Sequence, residues 1–210
     1  MTFTLHNRPG ASHLLERWVE TMKKLIAGLL LALSPSLTMA EPVTYAVEPA
    51  FTTIAFDVDV GGMFTSHGEF HDFAGTLALD LKHPEQSRVD VTASSSSVGT
   101  GWSVADGLLL SEDYFDPGHH PTVRFIADRV EPSGPDSVIL HGSMTIRDIT
   151  LPQDFTAKLQ DQHTDPGQGQ IASFVVTGRI DRDRYGMTAN HPLVASTVAV
   201  TITARVKLAG

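Results

Sequence analysis

Apolar and polar residues alternate with a period of two along much of the chain. Ile54, Phe56, Val58 and Val60 are separated by Ala55, Asp57 and Asp59. Leu77, Leu79 and Leu81 alternate with Ala78 and Asp80, and Val89, Val91 and Ala93 with Asp90 and Thr92. Val123, Phe125 and Ala127 follow the same rule around Arg124. Phe174, Val176 and Ile180 trace a longer run that contains Gly178, and Val198, Val200, Ile202, Ala204 and Val206 alternate with Thr201, Thr203 and Arg205. Successive side chains on a strand point to opposite faces, so each run predicts a strand with one apolar and one polar face. Turn-forming residues separate the runs: Gly61-Gly62, Lys82-His83-Pro84, Pro132-Ser133-Gly134-Pro135 and Asp165-Pro166-Gly167. Short strands at this spacing, polar outside, point to an all-β antiparallel sandwich or closed barrel. A closed barrel also leaves no free edge strand.

Two stretches depart from the alternation. Thr100 to Phe115 reads as a short helix, with Ser103 as a cap for Ala105 to Leu110 and Ser111 starting a second turn near Glu112 and Asp113. This predicts a helical lid or plug on the barrel. The other stretch is N-terminal. Met22-Lys23-Lys24 precedes a nine-residue apolar run, Leu25 to Leu33, which is too short to span a bilayer. Ser34-Pro35 breaks the run, and Thr38-Met39-Ala40 supplies the small residues of a cleavage site. Residues 1–40 are therefore expected to be an N-terminal extension and secretory signal peptide, with Met22 as the start and cleavage after Ala40. Residues 41–210 form one exported domain, without repeats or linkers.

Charge and composition narrow the function. Residues 1–40 hold four of the 15 basic and two of the 24 acidic residues, so the mature part has net charge −11. A surface this acidic repels phosphate backbones, and nucleic acid is not an expected partner. There is no cysteine, which excludes disulfides, thiolate metal sites and cysteine nucleophiles. A single domain of this size buries roughly 70% of its unfolded surface and needs no such staples. No apolar run in the mature part reaches membrane-spanning length. An outer-membrane barrel would carry aromatic girdles, whereas residues 41–210 hold one tryptophan (Trp102) and three tyrosines. A hydrated exterior with an apolar interior fits better.

Motifs for chemistry are sparse. Gly167-x-Gly169-x-x-Ala172 matches a dinucleotide fingerprint by letters, but it lies in a polar loop that leads into a strand, where the fingerprint must follow a strand and open a helix. His67-Gly68-Glu69-Phe70-His71 lacks the glutamate directly after the first histidine that the helical zinc motif needs. His67, His71, His119 and His120 read as polar loop residues, and no metal site is assigned. No Gly-x-Ser-x-Gly elbow is present. No catalytic residue is assigned.

Five segments, in order, resemble the YceI-like family of lipocalin-like proteins. They are Tyr45-x-Val47-x-Pro49 with Ile54-x-Phe56-x-Val58; Gly68-x-Phe70-x-x-Phe73-x-Gly75; Ser111 to Asp116 with Pro121-x-Val123-x-Phe125; Gly142-x-Met144 to Thr150; and Ile180-Asp181-Arg182-x-x-Tyr185-Gly186-Met187. The resemblance implies an eight-stranded antiparallel lipocalin-like barrel with a short helical insertion. It implies an apolar tunnel holding a polyisoprenoid, a periplasmic location and frequent homodimers. No cofactor is expected beyond a bound isoprenoid lipid or quinone. Asp59 and Leu108 stand where the family often has histidine, so the ligand head is not specified. Asp113, Phe115 and Asp116 read as cap and staple of the short helix, and Asp181 with Arg182 as a strand-end ion pair.

The expected lining is Phe56, Val58, Leu77, Leu79, Val91, Trp102, Leu108, Leu109, Phe125, Met144, Phe155, Phe174 and Val200. The function expected is a non-catalytic periplasmic carrier of a long apolar amphiphile. Two rivals are an enzyme of hydrolase or isomerase type that uses His119 and His120 with nearby carboxylates on a lipid-like substrate, and a filled barrel serving as a stress-related interaction module.

Overall fold

The computed structural model describes residues 43–80 and 84–209. The extension and signal peptide expected in residues 1–40 lie outside the described residues, as do Leu81 and the Lys82-His83 part of the expected turn. The strands are β1 (Val43–Val47), β2 (Thr53–Val60), β3 (Phe64–Phe70), β4 (Phe73–Leu79), β5 (Arg88–Ser94), β6 (Val98–Gly99), β7 (Thr122–Pro132), β8 (Ser137–Ile146), β9 (Ile149–Asp165), β10 (Gly169–Asp181) and β11 (Val194–Leu208). One α-helix, α1 (Ser103–Leu109), lies between β6 and β7.

These segments build a closed eight-stranded antiparallel barrel. The ring runs β1-β4-β5-β7-β8-β9-β10-β11 and closes where Tyr45, Ala46 and Val47 of β1 pair with Leu208, Lys207 and Val206 of β11. β2, β3 and β6 continue β1, β4 and β5 as kinked extensions, because β11 also pairs with β2, β2 with β3 and β3 with β6. The kinks have local causes. Pro49, which has no backbone N–H to give, opens a 3₁₀ turn through Phe51. A second 3₁₀ turn covers Ser95–Ser97, where the Ser97 hydroxyl donates to the Ser94 carbonyl at 2.8 Å. The kinks of neighbouring strands are tied together: Ser94 N donates to Asp72 O at 2.8 Å and His71 N to Ser97 O at 3.2 Å.

Register keeps the apolar faces aligned around the ring. Phe56 pairs with Gly68 on one side and Val200 on the other, Phe125 lies between Val91 and Met144, and Phe155 opposes Leu140. Side-chain period two then sends these rows to the interior together. The Phe155 ring packs against Gly178, where an added Cβ would stand 2.4 Å from its Cδ1. Gly178 therefore makes room for an inward ring. The two β2–β3 turn glycines, Gly61 and Gly62, take φ of +66° and +67°, as the sequence signal requires.

Candidate functional site

The barrel is hollow. Its interior contains a cavity of about 540 Å³, within the ~300–1,000 Å³ of small-molecule sites and far above the water-sized voids of packed cores. The wall is built from the alternating positions: Ile54, Phe56 and Val58 of β2, Val89, Val91 and Ala93 of β5, Val123 and Phe125 of β7, Phe174, Val176 and Ile180 of β10, and Val198, Val200, Ile202 and Ala204 of β11. Aromatic rings line up along it. Phe125 and Phe155 meet edge to face at 4.9 Å, Phe70 and Phe115 at 5.5 Å, and Phe56 is 6.1 Å from Phe70. The interior of a filled-barrel module would be solid, so that rival is set aside.

The two ends differ. One, formed by the end of β4, the start of β5, the β7–β8 turn and the outer part of β9, brings Asp80, Ser87, Asp136, Ser137 and Gln162 to the wall. At the other, the segment around α1 and the β10–β11 connection close the barrel with Leu109, Tyr114, Phe115, Arg182 and Met187.

Arg182 is the clamp of that closed end. It is 3% exposed. Its Nε donates to Ala195 O at 2.9 Å, Nη2 to Ala189 O at 3.0 Å and Val194 O at 2.9 Å, and Nη1 to Met187 O. Its guanidinium also sits 5.8 Å from the Tyr114 ring centre, and Asn190 Nδ2 donates to the Tyr114 hydroxyl at 2.9 Å. This corrects the expected Asp181–Arg182 ion pair. Asp181 instead accepts from Asp183 N at 3.1 Å and caps the following 3₁₀ turn. A guanidinium with five donors can satisfy several carbonyls at once, so it tolerates burial that a lone charge would not.

Ten of the thirteen residues expected to line the tunnel lie on the wall: Phe56, Val58, Leu77, Val91, Leu109, Phe125, Met144, Phe155, Phe174 and Val200. Trp102 and Leu108 do not. They are 63% and 41% exposed, because only Leu109 in that stretch turns inward. Leu79 is in β4 opposite Val43, and its side chain lies outside the described residues. Phe115, read as a staple, is on the wall, and so is Met187, while Tyr185 is buried beside it at 2% exposure, where burial pushes its hydroxyl pKa up.

The helix is held differently from expectation. Trp102 is the N-cap residue and makes no side-chain cap bond. The turn is fixed by Asp106, which accepts from Thr100 N at 2.5 Å and Thr100 Oγ1 at 2.7 Å. These bonds, the hydroxyl's first, hold the Asp106 carboxyl below its usual range. Ser111 Oγ donates to Leu108 O at 2.7 Å, and Tyr114 N and Asp116 N donate to Ser111 O at 3.0 and 3.1 Å, so a second turn does follow α1, opened by the Ser111 carbonyl. Asp59 accepts from Gly62 N at 2.7 Å and serves the β2–β3 turn. Neither Asp59 nor Leu108 is on the cavity wall.

The histidines do not gather in the hollow. His119 bonds Asp116 at 2.9 Å, His120 bonds Asp148 at 2.8 Å and His67 bonds Asp57 at 2.5 Å, all away from the wall. Among the described residues no group of three or more His, Asp or Glu is placed to hold a metal ion. No described helix is long and apolar enough to cross a membrane.

Residues 45–208 match the YceI-like domain. The chain belongs to the YceI-like family. It is similar to YceI of Escherichia coli O157:H7, 32% identical over 162 residues that cover 76% of this chain and 84% of that one. A UPF0312 protein of Pectobacterium atrosepticum is 31% identical over 171 residues, covering 81% and 88%. Among solved structures, BcnA of Burkholderia cenocepacia superposes with a TM-score of 0.70 at 16% identity, over 76% of this chain and 98% of its own. A polyisoprenoid-binding domain of Saccharophagus degradans superposes with a TM-score of 0.60 at 12% identity, over 80% and 99%. At these identities the structures establish that the YceI-like barrel is shared.

Proposed function

We propose that this YceI-like barrel binds and carries a long apolar amphiphile, a polyisoprenoid such as a prenyl quinone or other prenyl lipid, and performs no covalent chemistry on it. The observation that carries this reading is the ligand-sized hollow with an almost continuous hydrocarbon wall. A prenyl tail in such a space gains about 25 cal/mol for each Å² removed from water, with no polar partner needed. The polyisoprenoid named for the Saccharophagus degradans neighbour supports the same ligand class. The separation of His119 and His120 from the wall favours a carrier over an acid–base enzyme. The periplasm is the proposed compartment, reached through removal of residues 1–40. Organic extraction of the purified protein followed by mass spectrometry tests the proposal. The expected result is a prenyl lipid recovered in stoichiometric amount. Recovery of no lipid, together with no uptake of added prenyl quinone, would overturn it.

A further inference from the structure

The barrel end formed by the β2–β3 turn carries apolar side chains that the fold does not bury. Met63 is 83% exposed, Phe64 55% and Leu193 56%. Met63 and Leu193 come together over Gly61, and Phe64 follows Met63 in the chain. A Cβ placed on Gly61 would stand 3.2 Å from Leu193 Cδ1 and 3.9 Å from Met63 Cε, and Gly61 N donates to Leu193 O at 2.7 Å. Single exposed apolar residues need no explanation, but this cluster continues the cavity. Ile54, Phe56 and Val58 line the wall, and Val60 with its cross-strand partner Phe64 takes the next positions on that same face. Val194, which pairs with Val60, is itself a wall residue, and Leu193 precedes it. The apolar wall is therefore followed along β2 and β11 by this lip, at the same end that the α1 segment and the β10–β11 connection cover. The opposite end ends in polar side chains, Asp80, Asp136 and Gln162 among them.

We infer that this lip is a membrane-docking surface, with Met63, Phe64 and Leu193 entering the interfacial layer of a bilayer of zwitterionic lipid. The inference rests on the carrier reading above. A prenyl amphiphile resides in bilayers, and drawing its tail through water costs about 0.8 kcal/mol per CH₂. A carrier lowers that cost by meeting the bilayer with apolar surface next to its cavity, and the lip lies directly beyond the wall residues Val58 and Val194. Charge selects the kind of bilayer. Residues 57–67 hold Asp57 and Asp59 and no Lys or Arg, and residues 188–194 also hold no Lys or Arg. Juxtamembrane basic groups are what draw proteins to anionic lipid, and this lip has none.

Flotation of the full chain with phosphatidylcholine vesicles, with and without added phosphatidylglycerol, tests the inference beside the triple variant M63S/F64S/L193S. Both chains carry residues 1–40, so their difference isolates the lip. The three side chains are largely exposed, so the variant keeps the wild-type Tm. Wild type should float with phosphatidylcholine and less with phosphatidylglycerol at low salt. The variant should float less than wild type and take prenyl quinone from vesicles about tenfold more slowly, yet bind quinone delivered from cyclodextrin within about twofold of wild type. A variant that floats and exchanges like wild type overturns the inference. So does a wild type that does not float and forms a dimer lost in the variant, since the lip would then join two copies. A wild type that takes up no quinone from cyclodextrin instead sinks the carrier reading, whatever the flotation shows.

Discussion

Val176→Phe separates a hollow barrel from a solid one. Val176 is in the middle of β10, paired with Ala157 and Ile202, and points to the interior. It is nevertheless only half-buried, because part of it faces the cavity. Phenylalanine brings about four more carbon atoms, close to one isoprene unit. If they displace ligand carbons one for one, the upper bound is about 0.8 kcal/mol each, or roughly 3 kcal/mol. The lower bound follows from about 0.3 kcal/mol per ligand atom, or roughly 1 kcal/mol. Affinity for a prenyl quinone should therefore fall by roughly tenfold to a hundredfold, read from quenching of tryptophan fluorescence by the quinone. Stability should not fall, since the new ring enters empty space. In a filled core the same change would overpack, costing about 1–3 kcal/mol, or a Tm drop of roughly 2–12 °C for a domain of this size. Unchanged affinity, or a Tm loss of that order in the ligand-free protein, would refute the reasoning.

Three further outcomes follow from the same structure. Arg182→Met leaves the carbonyls of Met187, Ala189, Val194 and Ala195 without their donor; urea denaturation should show a loss of at least about 1–3 kcal/mol, the cost of one buried polar group left unsatisfied, and Arg182→Lys should not restore it, because an ammonium lacks the planar fork. Gly178→Ala forces the Phe155 ring off its seat and should cost about 1–3 kcal/mol by the same measurement. Arg124 bonds Asp90 through two nitrogens, at 3.0 and 2.5 Å, and that hydrogen bond holds the Asp90 carboxyl below its usual value. A carboxyl depressed in the folded state stabilises above its unfolded pKa and loses that effect as pH falls through the folded one. The stability gap between wild type and Arg124→Gln should thus be flat near neutral pH and shrink as pH falls below the ordinary aspartate range, in denaturation curves taken from neutral into acid.

The strands that alternate cleanly were legible because burial on one face leaves a period of two. That holds for β2, β5, β10 and β11, whose inward residues are wall residues. β9 was harder to see. Pro152 interrupts its pattern, and beyond Leu159 it runs through Gln160, Asp161, Gln162 and His163 at the polar end of the cavity, so no apolar alternation marks it. The three-leucine stretch Leu108-Leu109-Leu110 misled for a different reason. A short helix across a barrel end turns one residue inward, and composition does not say which. Leu140, Ile146 and Ile202 were missed as wall residues although the parity of their strands carries the information. Arg182 was not legible, since a buried guanidinium satisfied by main-chain carbonyls has no signature in local sequence. Neither was the lip, because an exposed Met63-Phe64 pair reads like any turn until the strands place it beyond Val58.

The most direct test of the central claim is an NMR measurement of ligand-free protein titrated with isotope-labelled polyprenyl quinone. We expect intermolecular NOEs from the prenyl methyls to the methyls of Val58, Val176 and Val200 on the wall, and none to Val104, which is 66% exposed on α1. NOEs confined to exposed residues, with the three wall valines undisturbed at saturating ligand, would contradict a barrel that encloses its ligand.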